Sequence, residues 1–206
     1  MPDSYRCSMT TSSTTRALRT RSFAARQLMV FVLAGGLACR SAAVTPATQS
    51  SPDERAPAPW ANSTLALAAV PTVYHSAWRA AANRQRCALL APARLDSAVA
   101  SQARPRSASF SGGWGVAYDL PAERSAFGVA GTGVSAWSDD VYDEWPVKRE
   151  FADGSRVGYG REGGTGPNWL AYVRIPGQDC LYNVWSRRGQ ADLERLLAEL
   201  RFVAIE

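Results

Sequence analysis

The chain holds a single histidine, His75, so a Ser-His-Asp triad or a His-ligated zinc centre would have to pass through it. It lies at the start of a helical stretch, where partial exposure is the ordinary state of a histidine. Residues 131–137 (GTGVSAW) carry the glycine–serine spacing of a nucleophile elbow. Trp137 stands where the glycine after the serine belongs, however, and no helical pattern follows. Residues 160–166 are rich in glycine, but Pro167-Asn168 comes next instead of the Gly-Lys-Ser/Thr that reaches phosphate and magnesium, so this run reads as a connection between strands. Asp139, Asp140, Asp143 and Glu144 form an acidic loop without the alternating ligands and central glycine of a calcium-binding EF-hand. A solvated loop is the simple reading; paired carboxylates drawn from it for hydrolysis are the alternative. Trp137, Tyr142 and Trp145 surround the same loop, with Arg161 as a neighbour. Aromatics flanked by acids make a recognition surface for glycans or peptides, or else plug the open end of a sheet. None of these patterns assembles a catalytic set, a metal site or a cofactor site.

The amino-terminal part says where the chain goes. Residues 28–39 read LMVFVLAGGLAC, after Arg16, Arg19, Arg21 and Arg26 with no acid among them. A positive region, an apolar core and small residues make a secretory signal. The apolar run is roughly half of the ~20 residues needed to span a bilayer. Its end, Gly36-Leu37-Ala38-Cys39, resembles the lipobox of bacterial lipoproteins. That resemblance implies removal of residues 1–38, a diacylglycerol on the Cys39 thiol, and an envelope location facing the periplasm or cell surface. By the same resemblance, Arg40 in place of an aspartate permits outer-membrane sorting. Ordinary secretion, with cleavage after Ala38 or Ala43, is the other reading of the same residues. Translation from Met9 instead of Met1 would remove Cys7.

The formal net charge is +5, but Arg6 and the four leader arginines account for most of it. The remainder is close to neutral, which gives no support for nucleic-acid binding through a basic patch. Lys148 is the only lysine. Cys7 leaves with the leader and Cys39 is the candidate lipid site, so Cys87 and Cys180 are the pair that remains. In a chain bound for an oxidising compartment they read as a disulfide closing a long loop.

Residues 39–70 repeat Pro, Ser, Thr and Ala, a composition that buries too little apolar surface to offset ordering. They read as a flexible tether of ~30 Å reach. Residues 71–206 are one domain by length. A helix is expected near residues 74–85, with Tyr74, Trp78, Ala81 and Ala82 on one face and Asn83 off it. A short strand follows in CALLAP, then a weak helical patch at 95–103 ended by Arg104-Pro105. From residue 108 the period becomes two: Phe110, Trp114, Val116 and Tyr118 fall on a bulky face, and Gly113, Gly115 and Ala117 on a small one. Asp153-Gly154 and Pro176-Gly177 mark hairpins. Leu193, Leu196, Leu197 and Leu200 follow helical spacing to the end, with a last short strand at 202–205.

The expected architecture is α+β: an antiparallel meander of about six strands with an N-terminal and a C-terminal helix packed against it. The expected function is that of a non-catalytic envelope binding or interaction module, anchored to the membrane through a lipid and facing an envelope protein or ligand. An envelope hydrolase using carboxylates of the 139–144 loop is the alternative.

Overall fold

The computed structural model describes residues 55–110, 112–133, 144–162 and 168–205. The leader, Cys39 and the first part of the tether lie outside the described residues.

The described chain is mostly antiparallel sheet with a few helices. Helix α1 (Thr72–Ala80) comes first, then strand β1 (Leu90–Pro92), helix α2 (Ser97–Ala100) and strands β2 (Arg104–Ser107), β3 (Trp114–Leu120) and β4 (Glu123–Gly131). Strands β5 (Val147–Glu150), β6 (Arg156–Arg161), β7 (Trp169–Arg174) and β8 (Tyr182–Ser186) follow, and helix α3 (Gln190–Glu199) and strand β9 (Leu200–Phe202) end the chain. Seven strands form one sheet in the order β2-β3-β4-β8-β7-β6-β5, and β1 pairs with β9 as a separate ribbon.

The order corrects the expected meander of about six strands. Two meanders, β2–β4 and β5–β8, are joined by β8 lying antiparallel to β4, with Val129 opposite Val184. The buried side chains of β3, β4, β7 and β8 explain the join: each strand needs cover on both edges and at least one face, and the two halves supply it to each other. Alternation sends Trp114, Val116, Tyr118, Val129, Val184, Tyr182, Ala171, Val173, Val157 and Tyr159 into the core on one side. On that side α1 packs on β3 and β2, and α3 on β8 and β7, through Leu193, Leu196 and Leu197.

The expected turns are where glycine is needed: Gly154 and Gly177 have φ of 79° and 78°, left-handed values open to glycine at little cost. The first helix departs from expectation. It ends at Ala80, not near residue 85, and Asn83 is buried. The cause is tertiary. Ala82 N–H donates to Gly112 O at 3.0 Å, and Asn83 Nδ2 donates to Gly131 O and Thr132 O, at 3.2 and 2.8 Å. These bonds draw the backbone out of the helix to meet the ends of β3 and β4.

The ordered packing also begins ahead of residue 71. Ala58 and Trp60 are fully buried, Ala152 N–H donates to Ala56 O at 3.0 Å, and Leu65 bridges Val203. The part of the expected tether from residue 55 onward therefore folds onto the β5–β6 hairpin and the terminal ribbon.

Cys87 and Cys180 are disulfide-bonded, with Cα atoms 5.5 Å apart, tying the segment after α1 to the entrance of β8. Among the described residues no helix is long and apolar enough to cross a membrane.

At the tip of β3 and β4, the Asp119 carboxylate accepts from Ser125 N–H at 2.7 Å and from Arg106 Nε at 2.9 Å. The backbone donor first, then the guanidinium, holds its pKa below the usual carboxylate value. Glu194 is held low as well, chiefly by the Tyr159 hydroxyl and then by Gln190. A lowered folded-state pKa contributes stability that is present above the unfolded value of ~4 and lost as pH falls through the folded one. The melting temperature is therefore expected to fall as pH drops from 5 to 2, and Asp119→Asn to flatten part of that slope. A slope identical in wild type and variant would contradict the assignment.

Candidate functional site

The small face of β3 and β4 points away from the helices, and what covers it is aromatic. Two rows of residues cross the sheet there. One runs Ala117, Gly128, Trp185, Leu170, Gly160; the next runs Gly115, Ala130, Asn183, Tyr172, Gly158. Glycine is required where rings lie flat on the backbone. A Cβ on Gly115 would stand 2.6 Å from the Phe110 ring, one on Gly128 2.2 Å from the Trp185 ring, and one on Gly158 2.8 Å from Trp145. Phe110 meets Trp185 at 5.5 Å between centroids, and Trp145 meets Tyr172 edge-on at 5.4 Å. Two aromatic pairs thus stand over the sheet, with Leu170 and Asn183 in the rows between them. Phe110, Trp185, Tyr172, Ala117, Leu170 and Asn183 line a cavity of about 330 Å³.

Polar groups enter this trough at few points. The Asn183 Oδ1 is shut off from solvent and has no hydrogen-bond partner, and Asn168 Oδ1 is in the same condition. Asn168 faces Glu162, whose N–H donates to Asn168 O at 3.0 Å; by alternation both follow the row of Gly160 and Leu170 on the open face. Burial, then the charge of Glu162, pushes the Tyr172 hydroxyl pKa up. The Trp185 Nε1 donates to Ser125 O at 3.3 Å, which leaves its ring face to the trough. Arg106, on the rim, is engaged by Asp119.

The residues singled out from sequence fare unevenly. Trp145 is on this face. Arg161 is one position off the open-face row and lies over the Trp169 ring at 5.9 Å, so the structure does not bring Arg161 and Trp145 together. Trp137 and Tyr142 lie outside the described residues, as do Ser135, Asp139, Asp140 and Asp143. Glu144 is exposed. His75 lines a different hollow of about 550 Å³ with Ala66, Leu67, Val70, Thr72 and Ala204, none of them an acid. Among the described residues no three His, Cys, Asp or Glu side chains gather as a metal group.

Phe110 corrects the two-residue reading: it lies over Gly115, on the side opposite Trp114, because the chain turns at Gly112 (φ 80°) before β3 begins. Phe110, Asn168, Leu170, Tyr172, Asn183 and Trp185 were not singled out from sequence as site residues. The available signal was the glycine–alanine alternation of residues 115–117 and 128–130, which marks a face held free for large rings.

Gly128→Ala tests that arrangement. The new methyl would also meet Val116 O at 2.5 Å, so it must displace the indole and strain β3. The expected result is a loss of about 1–3 kcal/mol with altered tryptophan emission; unchanged stability and emission would contradict the close seating of Trp185 on Gly128.

Comparison of the chain with family models, curated proteins and solved structures finds no match in any of the three.

Proposed function

We propose that this chain is an exported, lipid-anchored envelope protein that binds a ligand in the trough on the open face of its sheet and does no covalent chemistry there. The observation that carries the binding role is the trough itself: two aromatic pairs seated on glycines, with the Asn183 amide lining the cavity beside them. A sheet face needed only for stability is either polar and solvated or covered by another layer. Half-buried rings with a few polar side chains among them are the composition of a ligand site.

The address rests on other residues. The leader and lipobox-like Gly36-Leu37-Ala38-Cys39 support export and acylation at Cys39. The buried Cys87–Cys180 disulfide supports an oxidising compartment, since such bridges are rare in the cytosol. The two helices, packed on the other face, leave the trough free to meet envelope material while the tether spans the distance to the bilayer. For the hydrolase reading, Glu144 is exposed and does not line the trough cavity.

Intact-mass analysis of the protein from the membrane fraction tests the address. The expected species begins at Cys39 and carries acyl chains. A chain that retains residues 1–38, with all thiols free, would overturn it.

A further inference from the structure

The geometry points to a glycan as the ligand: the trough is built for uncharged pyranose units, held by ring stacking and by hydroxyl donors. This rests on the reading of the open face as the binding site and names its ligand class. The first ground is shape. The rings of Trp185, Phe110 and Tyr172 line the cavity and are held by glycine contacts and by neighbouring rings, Trp145 among them, so they offer preformed apolar plates at little ordering cost. The C–H faces of a pyranose suit such plates. The cavity, about 330 Å³, is at the small end of ligand pockets, which suits a sugar unit or a disaccharide rather than a long acyl chain.

The second ground is polarity. Two polar side chains stand among the rings that line the cavity, the Asn183 amide and the exposed Glu162 carboxylate. Taking water from both is costly unless the occupant restores their hydrogen bonds, so an occupant with several spaced donors and acceptors is favoured. Sugar hydroxyls do this. An acyl chain would leave both groups without a partner. An anionic ligand would meet Glu162 while the rim guanidinium of Arg106 is already held by Asp119 and Ser125. A single cation would answer Glu162 but leave the Asn183 amide and the rings unused.

The test uses the full-length, detergent-solubilised protein titrated by calorimetry. The probes are the N-acetylglucosamine tetramer and cellotetraose, with a tetralysine peptide and decanoate as the other chemistries. Three variants accompany wild type: Trp185→Ala, Asn183→Leu and the exposed Glu162→Gln, which keeps the fold safe. The expected result is binding of an oligosaccharide, weakened at least tenfold by Trp185→Ala or Asn183→Leu and about threefold by Glu162→Gln, with tetralysine and decanoate inert. No oligosaccharide binding, or oligosaccharide affinity indifferent to all three variants, overturns the proposal. If tetralysine or decanoate binds and the variants abolish it, the glycan class falls while the trough remains the binding site. If no probe binds in a variant-sensitive way, both readings fall.

Discussion

Trp60→Ala is expected to lower the unfolding free energy by about 3–5 kcal/mol, the range for deleting a buried large aromatic. The residue sits in a proline- and alanine-rich stretch that reads as linker, yet it is 2% exposed. Its indole Nε1 donates to Asp153 Oδ2 and Ser155 Oγ, both at 3.1 Å, and its ring meets Phe151 edge-on at 5.3 Å. Removal opens a cavity against the β5–β6 hairpin and strips fully buried Ser155 of a donor. At roughly 2–4 °C per kcal/mol for a chain of this size, the melting temperature should fall by about 10 °C. Trp60→Phe keeps most of the ring and loses only the donor, so about 1–2 kcal/mol is expected. Denaturant melts of the three proteins decide the matter. A Trp60→Ala loss under 1 kcal/mol would mean that residues 55–70 are not part of the cooperative unit.

Replacing both disulfide cysteines, as Cys87→Ala with Cys180→Ala, is expected to cost a similar amount. The bridge joins residues with a sequence separation of 93, for which the chain-entropy account gives ~4–5 kcal/mol. The fold should survive, because non-covalent ties cross the same junction. Tyr182 Oη donates to Ala88 O at 3.0 Å, Ala88 N–H donates to Gln178 Oε1 at 2.7 Å, and Arg86 pairs with Asp179. The double variant should therefore keep its circular dichroism spectrum and melt more than 5 °C lower, by the same conversion. An unchanged melting point would show that the unfolded chain gains nothing from losing the bridge.

What could be read from the sequence was what local chemistry decides. The hairpins at Asp153-Gly154 and Pro176-Gly177 were legible because their turns need a glycine at positive φ, and the last helix because four leucines keep a helical spacing. The disulfide was legible because only Cys87 and Cys180 remain once Cys7 is counted with the leader and Cys39 with the lipobox. What stayed hidden was decided at a distance. The end of α1 at Ala80 follows from hydrogen bonds to residues 112, 131 and 132, which no local pattern announces. Trp60 was lost in the average of its neighbours. The placement of β8 beside β4 depends on which buried strands complete each other. The trough gathers Phe110, Trp145, Tyr172 and Trp185 from four separate segments. Only the glycines beneath its rings left a trace in sequence, as alternation on one face of β3 and β4.

The account stands on the open sheet face being the working face. Site-specific photo-crosslinking in cells that make the protein tests this, with a benzophenone amino acid at Leu170 in the trough or at exposed Ala198 on α3. The account predicts a carbohydrate-bearing adduct from position 170 and none from 198. An adduct from 198 alone, with position 170 silent, would contradict it.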